Sequence, residues 1–240
     1  MATGDFGVSF VTGDEVSTLL KNRLPRTIRL IVYAQFVAFA IAIPWGVAAA
    51  RRANRRFDRI TTIGSFGLIA IPNFALGVIL LYFFALRWQW FPAGYSNEGW
   101  FDELKSLTLP ALTLGLGLAA TYQRLLRTDL ITTLQDDFVH MARAKGMPAR
   151  HIMYRHALRP SLFSVITVFG VNTGALIGGA LVVEQIFGIP GMGTELVEAV
   201  LRNDPPVVVA LIAIIAVAFV LINFLVDLLY GWLDPRVRTS

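Results

Sequence analysis

The chain has 240 residues, 55% of them hydrophobic and only 15% charged, with a net charge of +5 and no cysteine. Soluble domains carry roughly 45–50% apolar and about 25% charged residues, so the composition points away from an ordinary water-soluble domain. Without cysteine the chain can form neither a disulfide nor a thiolate metal site. Its three histidines, His140, His151 and His156, fall in one polar segment and leave every apolar run without an imidazole ligand.

The apolar residues come in blocks. A hydrocarbon layer about 30 Å thick needs roughly 20 apolar residues in a helix, and backbone groups there must bond to one another, which favours helices. Residues 4–26 are polar but patterned: Val16, Leu19, Leu20 and Leu24 recur at helical spacing behind a capping-box pair, Thr12 and Glu15. This reads as a short external amphipathic helix at a membrane surface. The first residues are polar and acidic, so no cleavable leader is expected.

The first spanning run is 27–50, closed by Arg51, Arg52, Arg55 and Arg56. The second is 60–86, with Pro72 and Asn73 inside it, followed by Trp88, Trp90, Phe91, Tyr95 and Trp100, rings that favour the headgroup layer. The third, 107–126, contains Pro110, Gly115 and Gly117; the fourth, 161–186, contains Gly170, Gly174, Gly178 and Gly179. A loop with Gly188, Pro190, Gly191 and Gly193 leads to the last run, 206–229, and a tail, 232–240. The expected fold is all-α, a polytopic transmembrane helical bundle with five spans between 27 and 231.

Lysine and arginine set the orientation. Five lie in 51–59, seven in 124–160 and two in 234–240, against seven on the opposite side. The richer side is expected to be cytoplasmic, with the N-terminus outside. A chain that starts outside without a leader is awkward to insert, and one preceding helix would remove the difficulty.

The segment 136–160 is too polar to span and too patterned for a linker. Phe138, Val139, Met141 and Ala142 form one apolar stripe, Gly146 breaks the helix, Pro148 suits the start of the next, and Ile152, Met153, His156 and Ala157 continue on it. Two short helices meeting at a glycine make a knob that can enter a partner's groove; the alternative is a basic loop lying on lipid. ARAKGM followed by RHALRPSL resembles the cytoplasmic "EAA" loop of ABC importer permeases. GDFGVSFVTGDEV, RLPRTIRL, IPNFALG, LPALTLGL, VVEQIFGIPGMG and NFLVDLLYGWLDPRVR resemble the dipeptide, oligopeptide and nickel group of that family in the same order. In one respect the loop departs from the pattern: the Glu-Ala-Ala places hold His140, Met141 and Ala142.

The resemblance implies a type I ABC importer permease fold, normally of six spans, in the bacterial cytoplasmic membrane. It also implies the partners: a second homologous permease subunit, two cytoplasmic ATPase subunits and an external substrate-binding protein, in contact with membrane lipid and not nucleic acid. The implied cargo is peptides or related solutes, nickel chelates included. The chain has no GxxxxGK[ST] run, so ATP and magnesium are expected on the ATPase, with no cofactor, catalytic residue or metal site here. The expected coupling residues are Asp137, Ala142, Ala144, Lys145, Gly146, His156 and Leu158. Polar residues inside spans, Gln35, Asn73, Asn172 and Asn223, are candidates for lining the pathway. Glu184 and Asp227 lie near run ends, where they can reach the interface, and are not assigned to substrate. An ion-coupled secondary transporter is the rival reading. It predicts ionisable groups in mid-span and repeated halves, and neither is visible. A membrane enzyme is a further rival, but no paired carboxylates or nucleophile–base set stands beside the spans.

Overall fold

The computed structural model describes residues 6–233, without the side chains of Asp227 and 229–233. Within these residues the regular structure is helical: α1 (Val16–Arg51), α2 (Arg56–Ala70), α3 (Asn73–Leu80), α4 (Trp100–Thr133), α5 (Asp137–Ala144), α6 (Ala149–His151), α7 (Leu158–Phe187), α8 (Met192–Leu201) and α9 (Pro205–Leu233). Wider π turns, Leu81–Arg87 and Ile152–Ala157, continue α3 and join α6 to α7. Four helical stretches are long and apolar enough to cross a membrane, and the bent pair Arg56–Ala70 with Asn73–Arg87 makes a fifth if it is one span.

Three elements differ from the sequence reading. The amphipathic residues before 27 are not a separate surface helix; they are the first turns of α1, which runs unbroken from Val16 to Arg51. Thr12 does not cap it, because residues 9–14 form a turn in which Ser9 Oγ accepts from the Val11 and Thr12 amides. The second run is not one continuous helix. Pro72 lacks an N–H and disfavours helical geometry at the residue before it; Ile71 is accordingly extended, at φ −80° and ψ 121°. Pro110, by contrast, sits inside an unbroken α4. Finally, the stretch after Phe187 is no plain loop: it holds the ten-residue α8. The tail 234–240 lies outside the described residues.

The chain divides into two compact units. The first gathers residues up to Gln35 with Pro72–Leu114 and Thr173–Leu225. Val16 and Leu20 of α1 are buried there among Met192 and Ala199 of α8 and Val207, Ala210 and Leu211 of α9. The second gathers Phe36–Ile71, Gly115–Asn172 and the chain from Val226. Its core joins Ala38, Ala42, Val47 and Ala50 of α1 to Ala119, Tyr122, Leu126 and Leu130 of α4, with Met153, Ala157 and Val165. Small residues let helix backbones approach where lipid offers no hydrophobic drive to pack. Gly46 shows the closeness: a Cβ there would stand 3.0 Å from Leu126 Cδ2 and 3.2 Å from the Gln123 carbonyl.

Candidate functional site

In the second unit, α5 and the turn after it build a knob with a small core of its own. Val139 and Ala142, one helical turn apart, are buried with Ile152, and Leu134 and Met147 pack against them. The helix ends in a double backbone cap: the Gly146 amide donates to the Arg143 carbonyl at 2.9 Å and the Met147 amide to the Ala142 carbonyl at 3.2 Å. This arrangement requires a left-handed residue after the cap, and Gly146 has φ +75°. Pro148 then precedes α6 in an extended conformation.

The apolar stripe read from the sequence is in fact two. Val139 and Ala142 face inward, whereas Phe138 and Met141 face out, 39% and 61% exposed. Ala142 is therefore part of the knob's own core and not of a contacting surface. Residues one position apart on a helix differ by about 100°, so a short apolar cluster does not reveal which pair faces the protein. Among the other expected coupling residues, Asp137, Ala144, Lys145 and Gly146 are exposed. Leu158 is half-buried against the α1–α4 core. His156 is half-buried, and its Nε2 has no partner among the described residues.

Also in the second unit, Asp58 of α2 and Arg127 of α4 form a two-pronged ion pair through both carboxylate oxygens. Asp58 also accepts from the Asn54 amide at 2.9 Å, and Asn54 is held at φ +65°. Two turns along α2, Ser65 Oγ donates to Gln123 Oε1 of α4 at 2.6 Å. Arg127, counted with the loop charges in the sequence, is thus committed to holding α2 against α4.

The four candidate pathway residues have different surroundings. Gln35 is buried and donates to Thr173 Oγ1 at 2.8 Å. Asn223 spends its amide on its own helix, donating to the Phe219 carbonyl at 2.9 Å. Asn73 is exposed in the first unit, and Asn172 is half-buried in the second.

A densely bonded polar group of the first unit is Glu184, which the sequence placed near the interface and the structure buries completely. Its carboxyl accepts from Thr27 Oγ1 at 2.5 Å and from the Gly193 and Thr194 amides at 2.7 and 3.3 Å. Thr27 Oγ1 in turn accepts from the Met192 amide at 2.9 Å. Arg26 donates to the Pro190 carbonyl, and Arg23 pairs with Glu195 at 2.7 Å. The glycines explain the approach. A Cβ on Gly191 would collide with the Glu184 carboxyl, and one on Gly193 with the Leu181 backbone. The clue in the sequence is a lone acid four residues before a glycine-rich turn, but its depth depends on α1 folding over it.

Two further clusters tie down the loops of this unit. Arg29 and Tyr95 both bond Glu103, and Arg26 lies over the Tyr95 ring. Burial pushes the Tyr95 phenol above its ordinary range, and its bond to Glu103 adds to the shift. Asp204 accepts from Ser9 Oγ and from the Phe10 amide, pinning the N-terminal turn. Burial alone would raise that carboxyl; the bonds from Ser9 and the backbone amides outweigh it and hold it below its ordinary value.

Comparison with known proteins gives this helical framework a family. The description "Binding-protein-dependent transport system inner membrane component" matches residues 42–239. The oligopeptide transport system permease protein AppB of Bacillus subtilis (strain 168) is 39% identical over 244 residues, covering 99% of this chain and 77% of the relative. The glutathione transport system permease protein GsiC of Escherichia coli (strain K12) is 34% identical over 235 residues, covering 98% and 75%. Among solved structures, an inward-facing MetNI methionine ABC transporter chain aligns with a TM-score of 0.74 at 17% identity, covering 90% of this chain and 96% of that one. Such identity speaks for the fold alone, the type I ABC importer permease fold. The chain therefore belongs to the binding-protein-dependent transport system inner membrane components, the multi-pass permease subunits of ABC importers.

Proposed function

We propose that this chain forms part of the pathway by which an ATP-driven importer moves peptides or related small solutes across the cytoplasmic membrane, with its lysine- and arginine-rich side in the cytoplasm. Relatives named for oligopeptide and glutathione transport support the solute class; none of the relatives reported above is named for nickel. In this reading the chain hydrolyses nothing. ATP and magnesium sit on two cytoplasmic ATPase subunits, a second permease completes the pathway, and an external binding protein delivers the solute. Family membership favours this over an ion-coupled secondary transporter.

One observation carries the coupling role: the knob closes its own core with Val139, Ala142 and Ile152, yet leaves Phe138 and Met141 exposed on the other side of α5. Covering a large apolar side chain is worth about 1.5–3 kcal/mol, so a partner groove that takes both gains a firm hold. Closure of the ATPases then moves the knob, and the helices above follow.

The test is Phe138→Asp with Met141→Asp, both outside the knob's core. The double variant should enter the membrane normally, lose the co-purifying ATPase and fail in uptake. Ala142→Asp should act differently, unfolding the knob from within. Normal ATPase recovery and uptake by the Phe138/Met141 variant would reduce the knob to a topological marker.

A further inference from the structure

Beside the knob, in the second unit, a groove of about 610 Å³ is lined by Pro148, Arg150, His151, Tyr154, Arg155 and Arg159. Three guanidinium groups, an imidazole and a phenol face it, and no carboxylate does. Among the described residues, Arg23, Arg29, Arg127 and Arg202 all have acidic partners, whereas Arg150, Arg155 and Arg159 have none. Arg155 and Arg159 stand four residues apart along the helical path, a like-charge spacing that is unfavourable unless an anion sits between.

The helix immediately beyond supplies the second observation. From Arg159 the same face continues to Phe163 and Ile166, which are 47% and 37% exposed. These residues lie in the stretch Ala149–Phe187, which is long and apolar enough to cross a membrane, where an exposed apolar face can take acyl chains. A cationic groove thus passes directly into an apolar strip along one helix face, matching a phosphate group carried on acyl chains. A soluble acidic segment would match the groove alone. Guanidinium forks suit phosphate oxygens two at a time, and basic hollows at the cytoplasmic ends of spanning helices are suited to anionic headgroups.

We infer that this groove binds the phosphate of an anionic phospholipid, whose acyl chains run down α7 past Phe163 and Ile166. The lipid fills the groove with the counter-charge that the protein itself does not provide. It also fixes the depth of Arg159 at the membrane surface, which sets where the knob stands. This site is separate from the docking surface proposed above, which consists of Phe138 and Met141.

The full-length chain, in its complete membrane assembly, is reconstituted into vesicles of phosphatidylcholine or of an equal mixture of phosphatidylcholine and phosphatidylglycerol. Phosphatidylglycerol retained per chain after detergent extraction is then measured by mass spectrometry. Arg155→Gln with Arg159→Gln should lower retention by about fivefold for each arginine removed. Arg155→Lys with Arg159→Lys keeps the charge and should retain most of the lipid. Arg55→Gln with Arg56→Gln, at exposed positions in the other basic loop, removes the same net charge outside the groove and should leave retention unchanged. Equal losses in both glutamine variants would mean diffuse surface attraction and would overturn the site. Inorganic phosphate binding the chain as tightly in pure phosphatidylcholine would make it a soluble-anion site, and the lipid assignment would fall. Intact lipid retention with loss of the ATPase in the Arg155/Arg159 variant would assign the groove to a protein instead.

Discussion

Replacing Glu184 tests whether one buried carboxyl anchors the turn between α7 and α8. Glu184→Ala removes the acceptor for Thr27 Oγ1 and for the Gly193 and Thr194 amides. The first two bonds are short and buried; the third, at 3.3 Å, is weak. A buried donor left without a partner costs about 1–3 kcal/mol, so two such donors amount to roughly 2–6 kcal/mol. About half of that cost is local, because Gly193 lies in the first turn of α8 whereas Thr27 lies on α1. A loss of about 2 kcal/mol raises the open fraction about 30-fold, since 1.4 kcal/mol is a factor of ten. Glu184→Gln should be milder. Its remaining oxygen can still accept both amides, and its NH₂ can donate to Thr27 Oγ1, so one bond is lost, about 1 kcal/mol and about fivefold. The assay is amide hydrogen exchange followed by mass spectrometry on peptides covering 188–201. Glu184→Ala should accelerate exchange at Gly193 and Thr194 at least 30-fold, Glu184→Gln only a few fold. Unchanged exchange in a correctly assembled Glu184→Ala protein would show that the turn is held by its own backbone bonds, and the anchoring argument would be wrong.

Three further outcomes follow from the geometry. Gly146→Val should cost about 1–2 kcal/mol in the left-handed cap and depress uptake, whereas Gly146→Asn, which tolerates that conformation, should transport nearly as well as the parent. Arg127→Met leaves the buried Asp58 with only the Asn54 amide and should destabilise by about 3–5 kcal/mol, seen as a lower midpoint of thermal unfolding; adding Asp58→Asn should recover part of it. Asp204 has a folded-state value below its ordinary one, so its contribution is fully present above the unfolded value of about pH 3.9 and is lost as pH falls through the lower folded value. Protease cutting near Phe10 should accordingly rise at pH values below about 4, and Asp204→Asn should abolish that pH dependence while leaving the turn loose at neutral pH.

The order of the spans was legible from residue type alone, because a bilayer selects for length and apolar content and both are local properties. So was the break at Gly146, where glycine lies between two patterned stretches and Pro148 follows. The charge rule found the basic loops but could not separate Arg127, bound to Asp58, from Arg150, Arg155 and Arg159, which share a groove. The difference lies in whether α2 brings a carboxylate to that point. The amphipathic residues before position 27 show the same limit from another side. Their spacing marks an apolar face, but lipid and α8 are equally good cover for it, and only packing against Met192 and Ala199 settles the choice. Ala142 and Met141 are neighbours in an apolar cluster; the rotation of α5 decides that one is core and the other surface. Glu184 makes the point most clearly. Its sequence position near a run end permits escape to the interface, and a carboxyl left unpaired would take it. It stays buried because Thr27, Gly193 and Thr194, from distant and adjacent parts of the chain, converge on it. Local sequence determined which segments are helices and which can enter the membrane; the tertiary structure alone decided which polar groups find partners, because that depends on residues separated by as many as 157 positions meeting at one point.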